Sequence, residues 1–382
     1  MTSLVRGPMA GTPRSGIREM MDAAAALEGV LHLELGEPDF PTPPHVVEAV
    51  ERAQRDGLVK YTLSRGTPEL QGLLAEKVRE RNGLDASREQ IVVTAGGTAA
   101  VYAALASLAA PGDGVLVPDP GWPGIDLDAT LLGAKPLRYR LLPEEGYRPD
   151  LDQLESLAAG ARVLFLNTPS NPTGAVHGRE TLEQMLEIAQ RHGLVVLADE
   201  VYEDITFDVE PLSIGSLDHE GRVVTVFSFS KGYAMTGWRV GYAVAPDEVV
   251  EAMVQVQETI VACPSWNGQV AAVAALTGSR EPVLAMRDEY RRRRDVAVVA
   301  LREHGLLISE PRGTFYAMAD VSSLGRDSYE IARRLLFEER VAVAPGETFG
   351  PSGVGTVRLS LASPPEVVAE AIDRIARAVS AR

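Results

Sequence analysis

Between residues 91 and 243 the sequence repeats one unit. A short unbroken apolar run is followed by a turn rich in Gly, Pro, Asn or Asp, and stretches of helical spacing lie between most of the runs. The runs are Ile91-Val92-Val93-Thr94, Val115-Leu116-Val117, Val163 to Leu166, Leu194 to Ala198, Val223 to Phe227, and Val240 to Ala243. A strand that is apolar on both faces must be covered on both, and strands separated by helices pair in parallel. The pattern predicts an α/β fold: a large domain with a mostly parallel sheet flanked by helices.

Upstream, helical spacing covers residues 17–30, and a short strand runs from Val30 to Leu35. The turn Gly36-Glu37-Pro38-Asp39-Phe40 lets backbone approach a ligand closely. Thr42 reads as the cap of a helix with Pro43 and Pro44 in its first turn, ending at Gly57; another helix spans Glu69 to Arg81. Downstream, a long helix runs from Pro282 to His304, and its Arg291–Arg294 run reads as a solvated face at a domain junction. Strands at 306–321, 341–344 and 356–361 follow. Ser363-Pro364-Pro365-Glu366 reads as a capping box opening the last helix, to Val379. The expected division is an arm (1–45) that joins the smaller domain, a large domain (46–282), and a smaller α+β domain (283–382).

At 382 residues the chain has room for two cores. A net charge of -16 argues against nucleic acid and anionic membrane as partners. Six His and one Cys argue against a disulfide framework and a Cys/His zinc site, so no metal is expected. Cys263, in Ala262-Cys263-Pro264, reads as a small buried side chain. Met1 to Gly16 lacks an apolar h-region, and no run approaches the ~18 apolar residues of a membrane span. The expected compartment is the cytoplasm.

Only four lysines occur: Lys60, Lys77, Lys135 and Lys231. Lys60 ends a polar loop, Lys77 sits with Glu76, Arg79 and Glu80 on what reads as a solvated helix face, and Lys135 lies in a turn. Lys231 follows the apolar run Val223 to Phe229 and enters small residues. Partial desolvation there lowers an amine's pKa and makes it a nucleophile toward carbonyls; an ordinary loop lysine is the alternative.

Other candidates also lie just after strands, where parallel sheets bind ligands. Gly96-Gly97-Thr98 opens a helix and suits a phosphate, or is simply a turn. Asp199, at a strand end, faces a ligand or caps a turn. The loop Asn167-Thr168-Pro169-Ser170-Asn171-Pro172-Thr173-Gly174 either holds an Asn amide rigidly or is merely stiff. Ser228 and Arg239 flank Lys231 and are phosphate-binding types. Arg358, in Val357-Arg358-Leu359-Ser360-Leu361, needs an anion, from substrate or from a structural Asp or Glu.

Taken in order, these residues resemble the class I/II aminotransferases of the aspartate aminotransferase superfamily. The resemblance runs from about residue 31 to 361. It implies pyridoxal phosphate fold type I, with a seven-stranded-type sheet. Lys231 would form a Schiff base with the cofactor aldehyde and then move the substrate proton. Asp199 would pair with the pyridine nitrogen, and Tyr202 and Asn171 would bond the ring's 3′ oxygen. Trp122 would stack on the ring, and Gly97, Thr98, Ser228 and Arg239 would hold the phosphate. Tyr61 would reach the phosphate of a neighbouring subunit, which implies a homodimer with shared sites. Arg358, with Asn171 and Gly36, would grip the α-carboxylate. The implied reaction moves an amino group from an L-amino acid to a 2-oxo acid by a ping-pong mechanism; C–S β-elimination or a related lyase step on the same fold is the alternative. Where an aspartate- and prephenate-type branch often carries a lysine for a second carboxylate, this chain has Thr98. Dicarboxylate, uncharged, aromatic and specialised donors therefore stay open.

Overall fold

The apolar runs become strands in a computed structural model that describes residues 7, 8, 10, 15–57 and 59–381. The reading of Met1 to Gly16 falls mostly outside those residues. The chain opens with α1 (Gly16–Ala24), β1 (Leu31–Leu33), α2 (Pro44–Arg55) and α3 (Pro68–Asn82). The repeat follows as β2 (Ile91–Thr94), α4 (Gly97–Leu108), β3 (Gly114–Asp119), α5 (Gly124–Leu131), β4 (Lys135–Leu142) and β5 (Arg148–Pro149). It continues through α6 (Leu151–Ala158), β6 (Val163–Asn167), α7 (Arg179–His192), β7 (Val195–Asp199), β8 (Val223–Ser228) and β9 (Gly241–Val244). Next come α8 (Asp247–Ile260), α9 (Trp266–Thr277), α10 (Glu281–Glu303) and β10 (Tyr316–Asp320). The chain closes with α11 (Ser328–Glu339), β11 (Val341–Pro345), β12 (Thr356–Ser360) and α12 (Pro365–Ser380).

The large sheet has the order β2-β9-β8-β7-β6-β3-β4-β5. Its centre, from β8 to β4, is parallel. β9 runs antiparallel to β8 and β2, and the two-residue β5 adds an antiparallel edge. Side chains alternate between two apolar layers. Val115, Val117, Val163 and Phe165 pack on one face; Leu116, Leu164 and Leu166 pack on the other. Each such side chain stabilises the fold by about 1.5–3 kcal/mol relative to leaving it in water. A second sheet has the order β1-β11-β12-β10. The arm strand β1 pairs in parallel with β11, so the N-terminal arm joins the C-terminal sheet.

Several local readings need correction. Lys77 is not on a solvated face: it is buried and paired with Glu203. Half of the arginine run is also buried. Arg293 holds both carboxylate oxygens of Asp39 at 2.8 and 3.0 Å, and Arg294 donates to Asp208 at 2.7 Å and the Pro311 carbonyl at 2.8 Å. Thr42 does not cap α2. Its hydroxyl donates to the Ala234 carbonyl at 2.8 Å and accepts from the Trp238 indole at 2.9 Å, so it ties the arm to the Lys231 loop instead. Ser363 makes no capping box and donates to the His32 carbonyl. Lys135 opens a strand rather than sitting in a turn. Cys263 is only half-buried. The first helix ends at Ala24, short of residue 30.

The Arg293–Asp39 pair fixes the turn that carries Gly36. Arg293→Met should lower the unfolding free energy by about 2–3 kcal/mol, less than for a fully enclosed pair because Asp39 stays partly hydrated. Arg292→Met, on the exposed side, should change it by under about 0.5 kcal/mol. Urea unfolding of both variants checks this, and equal midpoints would contradict it.

Candidate active site

The parallel strands end on one side of the large sheet, and a cavity of about 580 Å³ lies there. β6 delivers Asn167 and, four residues on, Asn171. β7 delivers Asp199 and Tyr202, and β8 delivers Ser228, Ser230 and Lys231. The β2–α4 turn adds Gly97 and Thr98, and the segment after β3 adds Trp122. The second sheet contributes Tyr316 and Arg358, and the arm contributes Gly36. Every residue to which the resemblance assigns a site role lines this cavity except Tyr61.

Lys231 is half-buried, and its amine donates to the Gly36 carbonyl at 2.6 Å. The Tyr202 ring lies 5.8 Å from that amine. The Tyr202 hydroxyl contacts the Tyr316 hydroxyl at 3.0 Å. Burial raises the Tyr202 phenol well above its ordinary value, and the neighbouring Tyr316 adds to the shift.

Asp199 is buried, and one carboxylate oxygen accepts from the Val201 backbone N–H at 3.3 Å. Burial pushes its carboxyl up to about 7; the Val201 hydrogen bond and the nearby Lys231 charge oppose the shift. Asn167 ties this strand end to the next. Its amide donates to the Asp199 carbonyl at 3.0 Å, and its oxygen accepts from the Asn171 N–H at 2.6 Å.

At the β2–α4 turn, Gly96 has φ of +90°, a region L side chains rarely adopt. A Cβ there would come within 2.6 Å of an Arg239 guanidinium nitrogen, so the turn needs glycine for space as well. Arg239 itself has φ of +51°, unusual for a residue with a side chain. Its guanidinium donates to the Thr236 and Ala95 carbonyls at 2.9 and 3.3 Å. The first-turn N–H groups of α4 have no helix partner, and the helix dipole puts partial positive charge at the same spot. Ser228 donates to the Ser230 hydroxyl at 3.0 Å. The corner is built to take an anion such as a phosphate.

Arg358 is buried on β12. Its guanidinium donates to the Asn171 amide oxygen at 3.1 Å and to the Glu34 carbonyl at 2.5 Å, and it stacks 4.2 Å from the Tyr316 ring centroid. Its Nε is buried without a partner among the described residues. Burial lowers the guanidinium pKa from its ordinary value, while Tyr316, Tyr202 and Glu34 pull it back. An anion brought to this corner would relieve that cost.

Tyr61 lies elsewhere: it is 88% exposed, beside exposed Val59 and Leu63, and it lines a separate hollow with Cys263 and Trp266. Sequence reasoning gave no role to Tyr316, Ser230, Asn167 or Arg18, which also line the cavity. Only Asn167 carried a signal, as the first residue of the proline-rich loop. Tyr316 looks like any aromatic on a buried strand. No group of three metal-type ligands occurs among the described residues.

The sequence pattern of the family described as "Aminotransferase class I and II" matches residues 28–375. The chain is 39% identical over 367 residues to aromatic-amino-acid aminotransferase 2 of Thermococcus litoralis, covering 94% of each. It is 40% identical over 349 residues to the aspartate/prephenate aminotransferase of Thermus thermophilus, covering 90% of each. The solved structure of Thermus thermophilus aspartate aminotransferase with maleate superposes with a TM-score of 0.93 at 37% identity, covering 99% of this chain and 100% of that one.

The raised Asp199 carboxyl gives a pH dependence of stability. Above about pH 4 the unfolded carboxyl is ionised, while the folded one keeps its proton. The folded state then binds more protons, so stability falls as pH rises and levels off above about 7. Asp199→Asn should flatten that part of the profile by a few kcal/mol. Urea midpoints of ligand-free wild type and variant at about pH 5 and about pH 8 test the sign; parallel profiles would contradict it.

Proposed function

This chain belongs to the class I and II aminotransferase family, and from that premise we propose that it binds pyridoxal 5′-phosphate around Lys231 and works as a homodimer. It is an aminotransferase, with an amino acid and a 2-oxo acid as substrates. The lyase alternative is not favoured, because relatives 38% and 40% identical over most of the chain are named aminotransferases.

The single observation carrying the proposal is that an amine, a buried carboxyl, an anion corner and a buried arginine line one cavity. The donor set fits the cofactor. Its phosphate would take the N–H groups of Gly97 and Thr98, the hydroxyls of Thr98 and Ser228, and the Arg239 guanidinium. Its ring nitrogen would face Asp199, where a protonated nitrogen would favour the ionised carboxylate against burial. Trp122 would cover a ring face, and Tyr202 with Asn171 would bond the ring oxygen. When bound, the cofactor supplies an electron sink for cleavage at the substrate's Cα.

The protein does the rest. Lys231 anchors the cofactor and, once free, takes the proton from the substrate's Cα. Arg358, Asn171 and the Gly36 backbone grip the α-carboxylate common to all amino acids, which orients the Cα–H bond for that transfer. The grip is indifferent to the side chain. Thr98, at the helix start, offers no charge to a second carboxylate.

The dimer rests on the exposed apolar face. Tyr61, Leu63, Ile260 and Val261 are all more than a third exposed, and a second copy would cover them. Tyr61 would then reach the phosphate held in the partner subunit. We also propose that residues 46–282 form the cofactor-binding domain, and that 283–382 with the arm 1–45 form the smaller one. No described helix is long and apolar enough to cross a membrane. The single cysteine suits a reducing cytoplasm, the compartment we propose.

Single-turnover mixing with a panel of amino acids tests the reaction. A productive donor should leave one equivalent of 2-oxo acid and the cofactor in its amine form, with no ammonia released. Ammonia without the amine form would point to lyase chemistry. No response to any donor would overturn the proposal.

A further inference from the structure

Lys77 lies on α3 among Glu76, Arg79 and Glu80, yet only 7% of it is exposed. A buried ammonium needs a counter-charge and full hydrogen bonding. Its amine donates to Glu203 at 2.5 Å and to the Asn82 side-chain oxygen at 2.9 Å. The Asn82 amide in turn donates to the other Glu203 oxygen at 2.6 Å, which closes a triangle. The same ammonium lies 4.4 Å from the Phe227 ring centroid. Glu203 directly follows Tyr202, and Phe227 directly precedes Ser228. One buried cation thus touches both segments that carry the site.

Two further ties hold those segments from outside, and one packing contact joins them. Arg280 donates to Asp204 at 2.6 Å, and Asp204 packs so closely on the Lys231 loop that a Cβ at Gly232 would come within 2.7 Å of its carboxylate. Arg81 donates to the Tyr233 hydroxyl at 3.3 Å. None of Lys77, Glu203 and Asp204 lines the cavity, so they act from behind it.

We infer that the Lys77–Glu203–Asn82 triangle is a positioning device that holds the Tyr202 segment in register with the Lys231 loop, and that it sets the proton-transfer geometry without touching substrate. The inference rests on the proposed roles of Tyr202 and Lys231. Removing the cation leaves the half-buried Glu203 carboxylate with the Asn82 amide and no counter-charge. The carboxylate then moves toward water and drags the adjacent Tyr202 with it. A displacement of about 1 Å at the reacting groups can cost about 100-fold in rate.

The test uses the cofactor-loaded full chain as wild type, Lys77→Arg, Lys77→Met and Glu203→Gln, with a donor accepted by the wild type. Lys77→Met and Glu203→Gln should lower kcat by about 10- to 100-fold while KM stays within about twofold. Both should also move the midpoint of the bound cofactor's visible pH titration. Lys77→Arg, which keeps the ion pair, should recover most of the rate and the midpoint. If Lys77→Met does not fold, the near-isosteric Glu203→Gln carries the comparison alone. Unchanged kcat and titration midpoint in folded variants, with only a lower urea midpoint, would reduce the triangle to a stabilising core pair and overturn the inference. A wild type that takes up no cofactor would instead overturn the proposed function.

Discussion

A buried guanidinium without a full set of partners is costly, and Arg358 is placed so that three parts of the chain must meet around it. It stands on β12 of the second sheet, bonds the Glu34 carbonyl of the arm, and bonds Asn171 beyond β6 of the large sheet. The Tyr316 and Phe349 rings face it at 4.2 and 4.9 Å. The remaining unpartnered Nε leaves it open to one more acceptor. These parts converge on that charge at the wall of the cavity, and the α-carboxylate proposed above is an anion that would complete it.

The opposite wall follows from strand direction. β6 and β7 run parallel and stop level, with Asn167 opposite Asp199, while the parallel β8 runs two residues past Val226, the partner of Asp199, to Ser228. β9 then returns antiparallel beside β8, with Ser228 opposite Gly241. The segment between them has to turn back over the strand ends, and it carries Lys231 and Arg239 into the same space. The proposed covalent anchor, the proposed carboxyl partner and the anion corner thus come from one topological feature. The charges behind the cavity brace the turn that follows β7 against the loop that follows β8.

Much of this was legible because buried parallel strands are continuous apolar runs and polar residues at their ends stand out. Asp199, Asn171 and Lys231, which line the cavity, were all picked out that way. What the sequence concealed was long-range pairing. Lys77 and Arg293 have charged neighbours along the chain and look solvated, yet their partners Glu203 and Asp39 lie far away in sequence. Thr42 and Ser363 precede helices and look like caps, but their hydroxyls bond distant carbonyls. β4 went unread because its burial is mixed near the sheet edge, with Lys135, Arg138 and Arg140 interrupting the apolar pattern. Tyr316 escaped because its role comes from the tyrosine and arginine it touches, not from its neighbours in sequence.

The central claim is that one lysine of four anchors the cofactor. Borohydride reduction of the cofactor-loaded protein, followed by peptide mass mapping, tests it directly. The account predicts a single phosphopyridoxyl adduct on the peptide carrying Lys231. An adduct on Lys60, Lys77 or Lys135 instead, or none at all, would contradict it.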